Sequence, residues 1–177
     1  MNTTRTDDCQ GIRKSGVLSK EELENCKGMP SEERLKRGPI AVIECSEEIP
    51  CNPCEANCPR DAIDIGGVIT APPHLLEQKC VGCGLCISRC PGLAITVVDL
   101  TGERSDKVSL PYEFCPLPEV GEIVHAMNRT GKIVCDAEVL TVKNEERNDR
   151  TAIVTLLVPN GYGMEVRFFA RSGRRRN

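Results

Sequence analysis

Two runs of cysteine with short, regular gaps are the residues in this sequence best suited to do chemistry. The first run is Cys45-x5-Cys51-x2-Cys54-x3-Cys58-Pro59, and the second is Cys80-x2-Cys83-x2-Cys86-x3-Cys90-Pro91. Cysteine thiolates bind soft metals, and gaps of two or three residues let several thiolates converge on one small volume. The two runs therefore predict two metal centres held by thiolates.

The spacing of the second run matches the iron–sulfur ligand pattern of bacterial proteins at every position. Eight thiolates in two such runs are enough for two [4Fe-4S] clusters. Gly82 and Gly84 lie between ligands of the second run, where close backbone approach and a positive φ favour glycine. We therefore predict a carrier of single electrons rather than an enzyme.

An internal repeat relates the two runs. Residues 51, 54 and 58 align with residues 83, 86 and 90, and each third cysteine is followed by proline and then a short apolar segment. Each half is predicted to contain a ligand loop, a short helical turn and a strand. The residue of the first half that aligns with Cys80 is Glu48, which is not a cysteine. Cys45 lies three residues earlier, so it can take the same ligand position only if the first loop contains a three-residue insertion.

Residues 40–98 resemble a bacterial two-cluster ferredoxin domain. That resemblance implies a pseudo-twofold fold of small strand pairs and two short helices, with two clusters close enough to exchange electrons. In such domains the fourth cysteine of a run binds the other cluster. The implied ligands of cluster I are Cys45, Cys51, Cys54 and Cys90, and those of cluster II are Cys80, Cys83, Cys86 and Cys58.

Zinc and disulfides are the alternatives for these cysteines. A tetrahedral zinc site needs four ligands but neither a Cys-Pro step nor a third cysteine in each run. Disulfides suit exported chains, and the first twenty residues contain no apolar stretch typical of a signal peptide. The remaining cysteines, Cys9, Cys26, Cys115 and Cys135, lack a ligand spacing and receive no predicted role.

The rest of the chain predicts an α+β fold around the cysteine runs. Residues 1–38 form an N-terminal helical extension, in which Ser19 and Glu22 make a capping box and Ser31 begins a second helix. Residues 39–99 form the ferredoxin domain, and residues 100–119 form a linker. Residues 120–170 form a small β-barrel or sandwich, with strands expected at 133–142, 151–158 and 164–169. Residues 171–177 form a basic tail.

Composition limits the function classes and the location. The 177 residues carry a net charge of −3 and no basic stripe, which argues against nucleic-acid binding. No apolar run is long enough to cross a membrane. Aromatic residues are scarce, with three Phe, two Tyr and no Trp, so the metal centres are expected to stabilise a small core. The demand for reduced thiolates and the absence of an export signal predict the cytoplasm.

Three hypotheses describe the role of the chain. The overall layout, with the segment from Gly131 to Arg167 ending in Met-Glu-Val-Arg, is similar to that of small ferredoxin-like subunits of amine or amino-acid dehydrogenases, of the proline, hydroxyproline, sarcosine or opine type. That resemblance implies a flavoprotein partner carrying FAD, with further iron–sulfur subunits an option. Residues 1–38 are interpreted as a docking segment, because a free ferredoxin has no need of them, and the alternative is that they only pad the domain. The second hypothesis is a free-standing ferredoxin that serves several oxidoreductases. The third is a zinc-stabilised interaction module without a redox role.

Overall fold

The computed structural model of the chain describes residues 11–46, 48–148 and 150–171. Cys9 and the basic tail beyond Arg171 lie outside these ranges. Antiparallel sheet dominates, and the helices are all short. The helices are α1 (Ile12–Ser15), α2 (Lys20–Glu24), α3 (Glu32–Leu35), α4 (Pro53–Ala56) and α5 (Leu85–Arg89), with a 3-10 turn at Glu146–Asn148.

Nine strands are described. They are β1 (Ile40–Ile43), β2 (Ile63–Asp64), β3 (His74–Leu75), β4 (Ile95–Asp99), β5 (Ser105–Tyr112), β6 (Ile123–Met127), β7 (Ile133–Lys143), β8 (Ala152–Pro159) and β9 (Phe168–Arg171). Seven of them form one sheet in the order β1-β4-β5-β8-β7-β6-β9, while β2 and β3 form a separate pair. All the pairs are antiparallel.

The cysteine-rich half has the predicted pseudo-twofold arrangement. Strand β1 precedes the first run and pairs with β4, which follows the second run. Strand β2 follows the first run and pairs with β3, which precedes the second. Helices α4 and α5 each carry one central cysteine and pack against each other. The repeat in the sequence is therefore a repeat in the fold.

The larger sheet buries one face of its C-terminal strands. In β5 and β8 the even-numbered residues from 106 to 112 and from 152 to 158 are buried, which is the alternation expected when one face meets a core. Phe169 of β9 and Val124 of β6 are completely buried in the same cluster. The sheet thus joins the cysteine-rich half to the C-terminal strands through one continuous core.

Several local predictions are confirmed. The Ser19 capping box with Glu22 is present, and Ser31 accepts the backbone N–H of Arg34 at the start of α3. The strands predicted at 133–142 and 151–158 appear as β7 and β8. The turn after β6 closes through a hydrogen bond from the Gly131 N–H to the Asn128 carbonyl.

Three predictions about the C-terminal part differ from the structure. Residues 105–112, placed in a linker, form β5, because Asp106, Val108 and Leu110 alternate with exposed or half-buried residues and join β4 to β8. The strand predicted at 164–169 begins only at Phe168, since residues 163–165 form a turn in which the Glu165 N–H bonds to the Tyr162 carbonyl. The C-terminal strands share their sheet with β1 and β4, whereas the sequence placed them in a separate all-β unit.

Candidate metal centre

Four of the predicted ligands surround one cavity, here called cavity I. Its wall contains Cys45, Cys51, Cys54 and Cys90, and the other lining residues are apolar. Three of these cysteines come from the first run and the fourth comes from the second. Ile43 of β1 and Ile95 of β4 form the floor, because both side chains point to the same face of the strand pair.

The other four predicted ligands surround a second cavity, cavity II. Cys80, Cys83 and Cys86 come from the second run, and Cys58 crosses over from the first. Ala41 and Val97 line it from the same face of β1 and β4 that serves cavity I. The structure therefore groups the eight cysteines four and four, in the crossed arrangement that the ferredoxin resemblance implies.

Local backbone geometry repeats at the crossing cysteines. The Ala62 N–H points at the Sγ of Cys58 with 3.2 Å between N and S, and the Ala94 N–H points at the Sγ of Cys90 with 3.4 Å. Each sulfur is four residues before its donor. Asp61 and Leu93, the residues before these donors, both have a positive φ, 46° and 53°. This unusual backbone in both halves aims an N–H at a ligand sulfur, an arrangement that stabilises thiolate charge.

A close approach of two segments shapes the loop of cavity II. Gly82 has a φ of 64°, and a Cβ placed on it would lie 2.6 Å from backbone atoms of Pro39. Gly84 caps α5 with a φ of 79°. The sequence prediction that both glycines adopt left-handed backbone is confirmed.

Arg34 of the N-terminal extension braces the same loop. Its side chain is buried, and its guanidinium donates to the carbonyls of Glu77, Gly38, Pro39 and Cys80, the last at 2.7 Å. The sequence analysis missed this residue, because nothing in the spacing of a surface-type helix shows that one of its arginines is buried. Residues 31–39 therefore serve as part of the metal-centre scaffold as well as an extension.

Burial raises the pKa of the two buried cavity thiols, Cys54 and Cys86. The pKa of Cys86 is raised to about 12, mainly by burial and next by the neighbouring Cys80, Cys83 and Cys58. Burial likewise raises the pKa of Cys54 to about 11, with Cys90, Cys51 and Cys45 adding to the effect. Four thiolates in one apolar cavity require a compensating cation, and metal binding would release the protons.

Each cavity offers thiol sulfurs as its donor atoms. Within the described residues, no three His, Cys, Asp or Glu side chains converge closely enough to hold a single metal ion. A structural zinc ion draws its sulfurs to about 2.3 Å from one centre. The donor set of four soft thiols in an apolar shell with N–H donors to sulfur fits an iron–sulfur cluster.

The remaining cysteines in the described residues lie outside both cavities. Cys26 is half-buried, and its thiol donates to the carbonyl of Ile43 at 3.2 Å, while burial raises its pKa. Cys115 is exposed, and Cys135 of β7 is half-buried. In the part of the chain that the structure describes, no helix has the length and apolar character of a membrane span.

Comparisons with known proteins agree with this geometry. A family model described as a 4Fe-4S dicluster domain matches residues 49–109, a stretch that contains every predicted ligand except Cys45. The electron transport protein HydN of Escherichia coli (strain K12) is 28% identical over 165 residues, covering 82% of this chain and 91% of HydN.

Two further relatives cover smaller shares. The ferredoxin-type protein NapF of Haemophilus influenzae is 45% identical over 56 residues, which are 29% of this chain and 31% of NapF. Protein Pixie of Drosophila melanogaster is 29% identical over 115 residues, 57% of this chain but only 19% of its own length. No solved structure matches the chain. On the family match and the relatives together, the chain contains a 4Fe-4S ferredoxin-type domain.

Proposed function

We propose that this chain is a non-catalytic electron carrier with two [4Fe-4S] clusters. Cys45, Cys51, Cys54 and Cys90 bind the cluster of cavity I, and Cys58, Cys80, Cys83 and Cys86 bind that of cavity II. When bound, such clusters accept and release one electron at a time. The observation that carries the proposal is the grouping of eight cysteines around two cavities, each with three ligands from one run and one from the other.

The surroundings of the cavities support electron transfer between them and out to a partner. Helices α4 and α5, which carry Cys54 and Cys86, are in contact, so the two ligand sets are adjacent. Cys83 is exposed, and the apolar side chain of Val81 beside it is 52% exposed. Cavity II thus lies close to the surface, where a partner can approach it. HydN, whose name describes an electron transport protein, aligns over nearly its whole length and supports the same role.

Metal analysis tests the proposal directly. Protein purified without oxygen should contain about eight iron and eight sulfide per chain, four of each for every cubane. It should be brown, and chelation of the iron should remove the colour. Zinc at about one or two per chain without sulfide would contradict the proposal and support the zinc-stabilised module.

The partner is a separate part of the proposal. We infer an FAD-dependent dehydrogenase that oxidises an amine or an amino acid in the cytoplasm, on the basis of the sequence layout alone. The chain should then copurify with a flavoprotein, whose flavin the amine substrate reduces and whose electrons pass to this chain. A chain that purifies alone and accepts electrons equally well from several unrelated reductases would instead be a free-standing ferredoxin.

A further inference from the structure

Three exposed apolar side chains lie beside cavity I. Ile49 is 53% exposed, Val68 is 58% exposed and Ile69 is 52% exposed. Ile49 also lines cavity I, and the Cys51 N–H donates to the carbonyl of Ile69 at 3.0 Å, so residues 68–69 lie against the ligand loop. Exposed apolar side chains scattered singly are normal, whereas a group with polar neighbours is typical of an interaction site. These three residues are called the apolar patch below.

Hydrogen bonds hold the turn that carries two residues of the patch. The Ile65 N–H donates to the carboxylate of Glu55 at 3.0 Å, and the Ala71 N–H donates to the carbonyl of Val68 at 2.8 Å. Val68 and Ile69 are therefore exposed in a turn that is tied to the first ligand run. A surface that is already in place costs less to bind than one that must first be ordered.

The sequence around the patch is acidic. Residues 45–78 contain six acidic residues and one basic residue, Arg60, although the whole chain has a net charge of only −3. Glu48 is exposed beside Ile49, and Asp64 is half-buried at the start of the turn. Arg60 lines cavity II rather than cavity I. The apolar patch is therefore surrounded mainly by negative charge.

The exposed surface of cavity II has basic neighbours instead. Its exposed apolar side chain is Val81, which is two residues after Lys79. Lys79 and Arg60 are both exposed, and Asp61 offsets one of these two charges. A partner surface that complements the acidic surroundings of the patch would be repelled at cavity II. The two cavities should therefore differ in the partners that dock beside them.

We propose that the apolar patch is the docking surface for a redox protein whose own apolar face is ringed by lysine or arginine. Opposite charges steer two such proteins together, and apolar contact at the centre holds them. A second copy of this chain would bring two acidic rims together, and an anionic membrane would be repelled in the same way. A docked redox centre would face cavity I across Ile49 and Cys51. Electron transfer through this contact rests on the proposed function, whereas the docking itself does not.

Calorimetric titration of the iron-loaded chain with cytochrome c tests the docking. Cytochrome c is a small basic haem protein with lysines around its exposed haem edge, and no electron passes when both proteins are oxidised. We expect Val68→Ser combined with Ile69→Ser to weaken binding about tenfold, because the centre of the contact loses its apolar anchors. Val120→Ser combined with Ile123→Ser is the matched control. These side chains are 68% and 53% exposed at β6, which three strands separate from β4 in the sheet, so this variant should leave the affinity unchanged.

Charge reversal tests the acidic surroundings. Glu48→Lys should weaken binding several-fold at an ionic strength of about 0.01 M and less at about 0.15 M, because the screening length falls from about 30 Å to about 8 Å. Glu138→Lys makes the same change in net charge at an exposed residue of β7 and should have a smaller effect. Equal effects of the two reversals would mean that cytochrome c responds only to the net charge of the chain, and would overturn the proposal.

Two further results would reject the apolar patch as the docking surface. One is unchanged affinity in the Val68→Ser and Ile69→Ser variant, and the other is an equal loss in the Val120→Ser and Ile123→Ser control. Self-association of the wild type that the patch variant abolishes would assign the patch to a second copy of the chain. Circular dichroism and iron content establish that each variant is folded and loaded.

Rapid mixing of the dithionite-reduced protein with ferric cytochrome c tests whether the docked complex is productive. One electron leaves a reduced cluster and converts the haem iron from Fe(III) to Fe(II). The second-order rate constant should fall about tenfold in the patch variant, in parallel with the affinity. A rate that this variant leaves unchanged would mean that electrons leave elsewhere, and would overturn the proposal. Docking without any reduction of the haem would retain the docking surface and contradict the proposed electron-carrier function instead.

Discussion

Cavity I and cavity II are built on the same template but are braced in different ways. Each has a short helix, a crossing cysteine with an N–H aimed at its sulfur and a floor of β1 and β4 side chains. Cavity II is additionally clamped from outside the repeat, by Arg34 on the Cys80 carbonyl and by the contact of Gly82 with Pro39. Cavity I instead has a longer ligand loop.

The repeat determines where the ligands of each cavity lie, whereas residues outside the repeat determine how each ligand loop is held in place. The insertion before Cys51 lengthens the first loop, whose Ile49 is 53% exposed. The second loop is short and held by backbone contacts on both sides. We therefore expect the loop of cavity II to depend on Arg34, whereas the N-terminal extension reaches cavity I through β1, where the Ile43 N–H donates to the Gly28 carbonyl at 3.0 Å.

The largest expected effect comes from replacing the crossing cysteines. Cys58→Ala should remove the cluster of cavity II and Cys90→Ala that of cavity I, each lowering the iron content from about eight to about four per chain. Thiols released from ligation become open to alkylation. Native alkylation followed by mass spectrometry should therefore label Cys80, Cys83 and Cys86 in the Cys58→Ala protein.

Labelling of Cys45, Cys51 and Cys54 in the same variant would contradict the crossed arrangement. Cys135→Ala is the matched control, because Cys135 lies outside both cavities. It should retain about eight iron.

The second effect concerns the backbone of the cavity II loop. Gly82→Ala adds a Cβ at a φ of 64° and within 2.6 Å of Pro39. Left-handed strain contributes about 1–2 kcal/mol and overpacking about 1–3 kcal/mol, so the variant should lose about 2–5 kcal/mol of stability. Urea unfolding of the loaded protein, followed by circular dichroism and by the loss of visible absorbance, measures it.

Gly67→Ala provides the control for strain alone. Its φ of 76° is similarly left-handed, but a Cβ there meets nothing within 4 Å. It should cost only about 1–2 kcal/mol. Equal losses in the two variants would mean that the contact with Pro39 does not matter.

Arg34 gives the third effect. Arg34→Met leaves four carbonyls, including that of Cys80, without their charged donor. We expect a loss of about 2–3 kcal/mol, together with faster loss of iron from cavity II than from cavity I under a chelator. The rates at which two distinct electron paramagnetic resonance signals decay, one signal from each cluster, would distinguish the two cavities.

Arg37→Met is the matched control on the same segment. The Arg37 side chain is 59% exposed and reaches Glu33 at 3.8 Å, a surface contact worth about 0.3–0.5 kcal/mol. If both substitutions destabilise the protein equally, the residues 31–39 do not brace cavity II through Arg34.

The sequence was informative where the constraint is local. Ligand spacing, the Ser19 cap, the positive φ of Gly82 and the alternating strands β7 and β8 each follow from a few neighbouring residues. Interactions between residues that are close in sequence can therefore be predicted from the order of residue types.

Long-range partners could not be read in the same way. Glu44 meets Arg167 across 123 positions, and Arg34 meets Cys80 across 46. Both pairings depend on how strands distant in sequence come together, which no spacing rule records. The strand β5 was missed for a related reason, because Pro111 within it is typical of a loop, whereas the pairing with β4 and β8 holds the segment in the sheet.

The smallest effect is a difference in reduction potential between the two centres. Negative charge disfavours the addition of an electron, and donors to sulfur favour it. The first loop contains Glu48 and Glu55 and has Pro53, which lacks an N–H. The second has the glycine N–H groups of residues 82 and 84, with the buried guanidinium of Arg34 on the carbonyl of Cys80. The cluster of cavity I should therefore be harder to reduce than the cluster of cavity II.

Redox titration followed by electron paramagnetic resonance should show two steps. The positive charge of Arg89, beside Cys90, favours reduction of the cluster in cavity I and so narrows the difference in reduction potential. Glu47→Gln combined with Glu48→Gln removes two charges from the sequence between Cys45 and Cys51, and it should raise only the lower step, by roughly tens of millivolts, because Glu48 is exposed and solvent screens it. Glu138→Gln on β7, an exposed residue separated from β4 in the sheet by β5 and β8, is the control and should move neither step. A single step that the double substitution leaves unchanged would mean that solvent screening removes the influence of the loop charges, and that the two cavities differ in bracing but not in potential.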